Sequence, residues 1–377
     1  MRANRTTLSL LLLAGAANAQ EPPADSTACV RDADRPAAAA VSDDVGRLAA
    51  LVGGRPSRPS VIRRGFARPP VACSAMPPFG DRWYRAADAA PIVLLPVHVN
   101  ATYNTRYPRE ANNGPLWSGR GAAAMVTGGI ELRYGILSAT VAPAIGFTEN
   151  RSFDVPTIQV PGYSPFAYPW HGATIDWPVR PGADAVTLLD PGQSAIRAEA
   201  YGLRAGLSTE NIWWGAALHN PLLFSNTAAG FPHVFVGSQR PLDIWIGALE
   251  FELLWGRVAE SDYFDGNPDN DGRLMAGLIV DFEPAFAPGL YIGAARTFMT
   301  VIPPGGFSLI DYVLEPYRGV RENPLGPDVG DNQIISVFAR FVAPGAGLEA
   351  YAEWARDDQW GNLEDLVKEP DHSQVYT

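Results

Sequence analysis

The most constraining feature of this sequence is a strict alternation of apolar and polar side chains in long runs after residue 90. The clearest runs are 195–203, 249–255, 278–283, 335–341 and 348–354. In 195–203, for example, Ile196 and Ala198 alternate with Arg197 and Glu199. Successive side chains of a β-strand point to opposite faces, so each run predicts a strand with one apolar and one charged face.

The length and the ends of these runs favour one all-β architecture over another. A soluble sandwich also has strands with one apolar face. These runs, however, are long enough to cross a bilayer as tilted strands, carry Trp or Tyr near their ends, and keep charge off the apolar face. Only a closed barrel satisfies strand backbones in lipid. We therefore predict an all-β fold, a large antiparallel transmembrane β-barrel of the outer membrane, over residues 91–377.

The first 19 residues have the layout of a cleavable signal peptide. Arg2 and Arg5 precede an apolar stretch over 8–16, and Ala17-Asn18-Ala19 precedes Gln20, the expected first residue of the mature protein. The apolar stretch is too short for a membrane helix. The sequence therefore predicts export in a Gram-negative cell, with the cell outer membrane as the destination.

Residues 20–90 are rich in Ala, Pro and Arg and predict a small, partly helical periplasmic segment. One helix is expected over 42–52, and prolines prevent anything long afterwards. A mostly disordered linker is the alternative. Cys29 and Cys73 both lie here, and in an oxidising compartment they predict a disulfide, with two separate thiols as the alternative. The net charge of -11 argues against a nucleic-acid partner.

Two carboxylate pairs are the strongest candidates for catalysis. Glu250 with Glu252, and Asp281 with Glu283, lie about 7 Å apart on single strand faces, a spacing that suits glycoside hydrolysis. Such pairs recur on several strands, which favours a charged lumen instead. The balancing cations would be Arg197, Arg204, Arg257 and Arg340. We therefore expect no catalytic residues and no enzymatic activity.

Metal and cofactor motifs are not found in the sequence. The loop 265–272 resembles a calcium loop, but counting from Asn267 puts Leu278 where an EF-hand needs Glu. The five histidines show no metal-ligand spacing. We expect no metal and no cofactor, and interpret 265–272 as a solvated loop.

An aromatic, proline-containing stretch over 163–177 is the best candidate for a binding loop. Sugar rings present apolar faces that stack on Trp and Tyr. The candidate polysaccharide-binding residues are Tyr168, Trp170, His171 and Trp177. The alternative is a loop that folds into the lumen and packs there.

Several ordered blocks resemble the capsule-assembly Wzi family of outer-membrane lectins. They are YNTRYPREANNGPLWSGRG (103–121), APAIGFTENRSF (142–153), LDPGQSAIR (189–197), GLSTENIWWG (206–215), SNTAAGFPHVF (225–235), QRPLDIWIG (239–247), ARFVAPGAGLEAYAEWARDD (339–358) and EPDHSQVYT (369–377). The resemblance implies a barrel of about eighteen strands that helps to attach capsular polysaccharide to the cell surface.

The sequence departs from the family pattern in three places. Trp213-Trp214-Gly215-Ala216-Ala217 stands where the family tends to read WWGPG, and we interpret the two tryptophans as conformational or girdle residues. The segment before residue 90 matches poorly. The sequence ends directly after EPDHSQVYT, where further strands are implied, so we expect a barrel that is incomplete at its C-terminus.

The first functional hypothesis is a monomeric, non-catalytic barrel, in contact with outer-membrane lipid, that binds and helps to attach capsular or extracellular polysaccharide. A plugged lumen beneath aromatic outer loops would favour it. The alternatives are a diffusion porin, which predicts conductance, and an exported glycan hydrolase, which predicts solubility without detergent and one indispensable carboxylate pair.

Overall fold

A computed structural model describes most of the chain after residue 90 and four residues before it. The described residues are 61–64, 91–108, 112–155, 162–168, 176–268, 271–303, 305–306, 308–314, 332–343, 346–357 and 373–377. The predicted signal peptide, the helix expected over 42–52 and both cysteines, Cys29 and Cys73, lie outside them.

More than half of the described residues lie in β-strands. The first ten strands are β1 (Ile62–Arg64), β2 (Ile92–Asn104), β3 (Gly121–Tyr134), β4 (Leu137–Val141), β5 (Ala144–Thr148), β6 (Val186–Asp190), β7 (Ala195–Ala200), β8 (Leu203–Ser208), β9 (Ile212–Trp214) and β10 (His233–Ser238). The others are β11 (Leu242–Ile244), β12 (Gly247–Ala259), β13 (Gly272–Pro284), β14 (Leu290–Val301), β15 (Asn332–Ala343), β16 (Leu348–Asp357) and β17 (Gln374–Tyr376), with a short helix α1 (Leu309–Leu314) between β14 and β15. No described helix is long and apolar enough to span a bilayer.

Fifteen strands form one antiparallel sheet, called the wall sheet below. The strands form a meander. β3 pairs with both β4 and β5, which follow one another along its length. On their other sides, β4 pairs with β7 and β5 pairs with β6. From β12 to β16 each strand pairs with the next along ten or more residues. Among the described residues, no pairing joins β2 at one edge to β16 or β17 at the other.

The two faces of the wall sheet are inverted relative to a soluble protein. The charged side chains predicted on one face are the buried ones: Glu252 is 0% exposed, Asp281 3% and Arg340 3%. The apolar face is the open one, with Ile196 61% and Leu189 79% exposed. This arrangement is the one found in transmembrane barrels, where apolar residues face lipid and the interior is polar. The predicted all-β fold and its alternation are confirmed.

The two ends of the wall sheet differ in the length of their connections. One end has short turns, such as the two-residue turn between β7 and β8, where Tyr201 and Gly202 both have positive φ (55° and 80°). Exposed aromatic side chains line this end: Tyr134, Tyr201, Trp245 and Phe286. The long connections, which include 105–120, 149–185 and 260–271, all lie at the opposite end, called the mouth below. Short turns at one end and long loops at the other are typical of outer-membrane barrels.

The inside of the wall sheet is filled by a second, two-stranded sheet, called the inner pair. β1 pairs with β9, and Ile62 lies opposite Trp214. Apolar side chains of the inner pair pack on the buried faces of five wall strands in one cluster: Val61, Ile62, Ile212, Trp214, Ala216, Phe235, Leu254, Ile279, Ala295 and Phe338. Residues 61–64 of the segment that we predicted to be periplasmic thus lie inside the wall sheet.

The interpretation of Trp213 and Trp214 as girdle residues is wrong. Both are buried in the interior, 1% and 0% exposed. Trp214 packs edge-on against Phe224, with 5.0 Å between ring centroids, and its indole N–H donates to Glu252 at 3.2 Å. Gly277 on β13 makes room for this ring, because a Cβ there would lie 2.8 Å from it. The sequence alternation could not show this, since β9 has only three residues.

Candidate functional site

Three of the long loops meet at the mouth in a connected group of aromatic rings. Tyr263 contacts Trp117, with ring centroids 5.7 Å apart, and Phe166, at 6.3 Å. Tyr163 packs edge-on against Phe264 at 5.6 Å. The aromatic loop predicted from the sequence therefore packs on the loop between β12 and β13, at the mouth.

The structure brings together two of the four residues predicted to bind polysaccharide. Tyr168 and Trp177 are stacked, with centroids 6.4 Å apart and an interplanar angle of 9°. Trp177 remains 46% exposed. Trp170 and His171 lie outside the described residues. The result is a partly exposed aromatic platform, the geometry that the face of a sugar ring can stack on.

A small apolar pocket, called the rim pocket, lies at the mouth and was missed by sequence reasoning. Its volume is about 190 Å³. Its walls include Leu116, Trp117, Thr148, Val186, Leu188 and Tyr263. Trp117 and Tyr263 are 146 positions apart, so no local pattern could have paired them. The signal that was available is their position in two long loops at the same end of the sheet.

A buried asparagine holds the loop that connects β5 to β6. Asn150, 1% exposed and with a φ of 46°, donates from its side-chain amide to the carbonyls of Pro181 (3.0 Å), Gly182 (3.1 Å) and Asp184 (2.7 Å). Arg180 donates to the backbone carbonyl of Asn150 at 2.6 Å and lies over the ring of Phe166. These contacts fix the aromatic loop relative to the wall sheet.

Replacing this amide by a carboxylate is expected to loosen the mouth. Asn150→Asp removes the donors and places a carboxylate against three carbonyl oxygens, a change that costs about 1–3 kcal/mol for each buried group left unsatisfied. We expect faster hydrogen exchange across 176–184 and unchanged exchange in β12 to β15. Exchange mass spectrometry of the purified protein measures this, with Asn112→Asp, another residue with positive φ in a mouth loop, as the matched control. Equal protection of 176–184 in Asn150→Asp and in the unsubstituted protein would contradict the assignment.

A second contact joins the aromatic loop to the loop after β12. Asp176 accepts from the backbone N–H of Ser261 at 2.7 Å and from its hydroxyl at 2.6 Å. Glu260 belongs to the same loop. Burial is the largest cause that raises the pKa of Glu260 to about 7, and the negative charges of Asp265 and, more weakly, Asp176 add to it. Arg273 opposes it from 3.4 Å. The docking of the two loops therefore includes a carboxyl that titrates near neutral pH.

Docking of these loops is expected to weaken as the pH rises through about 7. The pKa of Glu260 is raised on folding, so its protonated form stabilises the docked state; this contribution is complete below the unfolded pKa of about 4.3 and is lost as pH passes the folded value. After correction for the intrinsic exchange rate at each pH, we expect hydrogen exchange over 260–268 to be faster at pH 8 than at pH 6. Glu260→Gln should remove this dependence, whereas Asp243→Asn at the short-turn end should leave it unchanged. A pH dependence that persists in Glu260→Gln would assign it to another group.

Glu252 and Asp281, one member of each predicted carboxylate pair, are buried in the interior, whereas Arg257, one of the four expected balancing cations, is exposed. Glu252 pairs with Arg64 of the inner pair at 2.5 Å and with Arg204 at 3.0 Å, and it also accepts from Trp214. Its neighbour Glu250 lies opposite Asp281 in the register of β12 and β13. Two more of the predicted arginines are paired, Arg197 with Glu210 and Arg340 with Glu349. Glu252 is thus a structural ion-pair residue enclosed by its partners.

Within the described residues, no group of three His, Cys, Asp or Glu side chains is placed to hold a metal ion. In the loop that resembles a calcium site, Asp265 instead accepts from the backbone N–H of Asn267 at 2.7 Å. This hydrogen bond shapes a local turn.

Fold and site together define a class: an antiparallel wall sheet with an apolar outer face, a filled polar interior and an aromatic mouth. No protein-family model matches the sequence, and no curated protein matches it. One solved structure to which the chain is similar is that of Wzi, described as an outer membrane protein involved in group 1 capsule assembly in Escherichia coli and as a carbohydrate-binding β-barrel. The TM-score is 0.47 and the identity 10% over 85% of this chain. The chain spans 63% of the length of Wzi.

Proposed function

We propose that this chain is an outer-membrane barrel protein that binds capsular or extracellular polysaccharide at its mouth and helps to hold it at the cell surface, without catalysis and as a monomer. The observation that carries the proposal is a filled interior beneath a mouth with a stacked, exposed aromatic pair. A filled interior leaves the mouth as the place where a ligand can bind.

The filled interior favours a binding protein over a diffusion porin. In a porin the lumen is a water-filled channel. Here Trp214 and Phe235 are almost fully buried between the inner pair and the wall sheet, and Trp213 of the inner pair is also buried. Ion pairs from Arg64 to Glu252 and from Arg197 to Glu210 cross the remaining polar interior.

The surroundings of the carboxylates favour binding over hydrolysis. A glycosidase needs two carboxylates that flank a substrate bond in an accessible cleft. Glu252 is 0% exposed, and both of its oxygens have partners. Asp281 is 3% exposed. Both carboxylates therefore lie on the enclosed face of the wall sheet and not in an accessible cleft.

The platform gives the proposal its direct test. Polysaccharide purified from the source cells is titrated into the detergent-solubilised full chain, and affinity electrophoresis measures retardation. Loss of one aromatic stacking partner costs about 0.5–1.5 kcal/mol, so Trp177→Ala is expected to bind roughly threefold to tenfold more weakly. Trp245→Ala, which removes an exposed tryptophan from the short-turn end, is the matched control. Retardation that is equal in Trp177→Ala and in the unsubstituted protein would remove the platform from the site.

A further inference from the structure

The rim pocket is distinct from the flat platform of Tyr168 and Trp177 because it is concave and has the size of one ring. An apolar cavity of about 150 Å³ is large enough to bind benzene. The rim pocket, at about 190 Å³, therefore has room for one six-membered ring or for a ring edge with a small substituent. It is too small for a drug-sized ligand, whose pockets begin at about 300 Å³.

The chemistry of the rim pocket is unusual for a site that meets sugars. None of its lining residues is charged, and Leu116, Val186 and Leu188 are among them. The hydroxyl of Thr148 already accepts a hydrogen bond from the backbone N–H of Gly119 at 3.0 Å. A sugar hydroxyl placed against the leucines would give up hydrogen bonds to water without replacement, which is unfavourable. A methyl group placed there would lose no hydrogen bonds, because it makes none in water.

We propose that the rim pocket takes a methyl-bearing sugar of the bound polysaccharide, with the methyl of a 6-deoxyhexose or of an acetyl group against Leu116, Val186 and Leu188. This inference rests on the proposed function and names the kind of sugar that the mouth selects. Trp117 and Tyr263 flank the pocket and supply ring faces for the rest of the sugar.

The pocket is built to select because its walls are positioned by the sheet. Val186 and Leu188 belong to β6, which pairs along its length with β5. Leu116 is 5% exposed, and a Cβ at Gly146 would lie 3.4 Å from it and 3.5 Å from Leu188, so these two leucines close over the glycine. Sites on sheet strands hold their geometry better than sites on loops alone.

Matched sugar pairs test the proposal on the detergent-solubilised full chain. L-Fucose and L-galactose, used as free sugars, differ only by the hydroxyl on carbon 6. Free N-acetylglucosamine and glucose test the acetyl source. Each sugar competes with purified source-cell polysaccharide in affinity electrophoresis. We expect the methyl-bearing member of at least one pair to compete roughly tenfold better, the usual scale of discrimination by an apolar pocket. Equal competition within both pairs would overturn the inference.

Pocket-filling variants locate the preference. Leu188→Phe, and separately Val186→Phe, place extra side-chain volume in the rim pocket and leave Tyr168 and Trp177 unchanged. We expect both variants to lose the preference for the methyl-bearing sugar and to keep binding to polysaccharide, with Tyr201→Phe at the short-turn end as the control. If correctly folded variants keep the preference for the methyl-bearing sugar, that preference arises outside the rim pocket and the inference is overturned. If the unsubstituted protein binds no polysaccharide at all, the proposed function fails instead.

Discussion

Replacing Arg64 by leucine is expected to be among the most destabilising single changes in the chain. Its guanidinium is 2% exposed, contacts Glu252 at 2.5 Å, lies 3.9 Å from the centre of the Phe235 ring and contacts His233. Arg64→Leu leaves the fully buried carboxylate of Glu252 with Arg204 as its remaining cation. Breaking a buried ion pair by removing one partner costs about 3–5 kcal/mol. Urea unfolding of the detergent- or bilayer-embedded protein measures the loss.

Two further variants show whether the cost comes from the unpaired charge. Arg240→Leu removes an exposed arginine and should change the free energy of unfolding by about 0.5 kcal/mol or less. Arg64→Leu combined with Glu252→Leu removes both charges and should recover part of the loss, because an apolar pair in place of a buried ion pair is often neutral. A double variant that is less stable than Arg64→Leu by the full cost of Glu252→Leu would indicate independent sites.

Truncation of Trp214 is expected to produce an ion conductance that the unsubstituted protein lacks. The indole fills the interior between Phe224, Glu252 and Gly277. Trp214→Ala removes that volume, destabilises the packed interior by about 3–5 kcal/mol and admits water beside the buried charges. In planar bilayers the unsubstituted protein should show no steady conductance, and Trp214→Ala should show frequent openings.

The variant Trp214→Phe, which keeps an aromatic ring at this position, is the control for this conductance. It keeps most of the packing, so its openings should be rare, and Trp245→Ala at the exposed end should behave like the unsubstituted protein. Steady conductance by the unsubstituted protein would contradict the filled interior and favour the porin alternative.

The wall sheet was predictable because its strands obey a simple local rule. In 195–203 and 335–341 the alternation alone identified which side chains point outward, and Ile196 and Val337 are indeed exposed. In transmembrane barrels in general, strands that face a bilayer must obey this rule. One member of each carboxylate pair, Glu252 and Asp281, lies on the enclosed face as expected for a charged interior, but the expected balancing cation Arg257 is exposed.

The inner pair and the rim pocket were not predictable from the sequence, because each combines residues that are far apart in the chain. β1 and β9 have three residues each and pair across about 150 positions of the chain, so neither shows a periodic pattern. The rim pocket combines Trp117 with Tyr263 from loops that are just as distant in sequence. In the aromatic loop the residue types indicated Tyr168 and Trp177 as binding residues. Their stacking, however, depends on how the loop folds back. Asn150 fixes that conformation through contacts with 176–184, and Ser261 fixes it through its contact with Asp176.

The ratio of cell-attached to released polysaccharide in the source bacterium is a direct test of the attachment role. It is measured with the gene intact, with the gene deleted, and with the gene restored as the Trp177→Ala or the Trp245→Ala variant, at equal total polysaccharide synthesis. The proposed function predicts a shift of polysaccharide into the medium on deletion, a partial shift for Trp177→Ala and full attachment for Trp245→Ala. Unchanged attached and released fractions on deletion would contradict an attachment role for this protein.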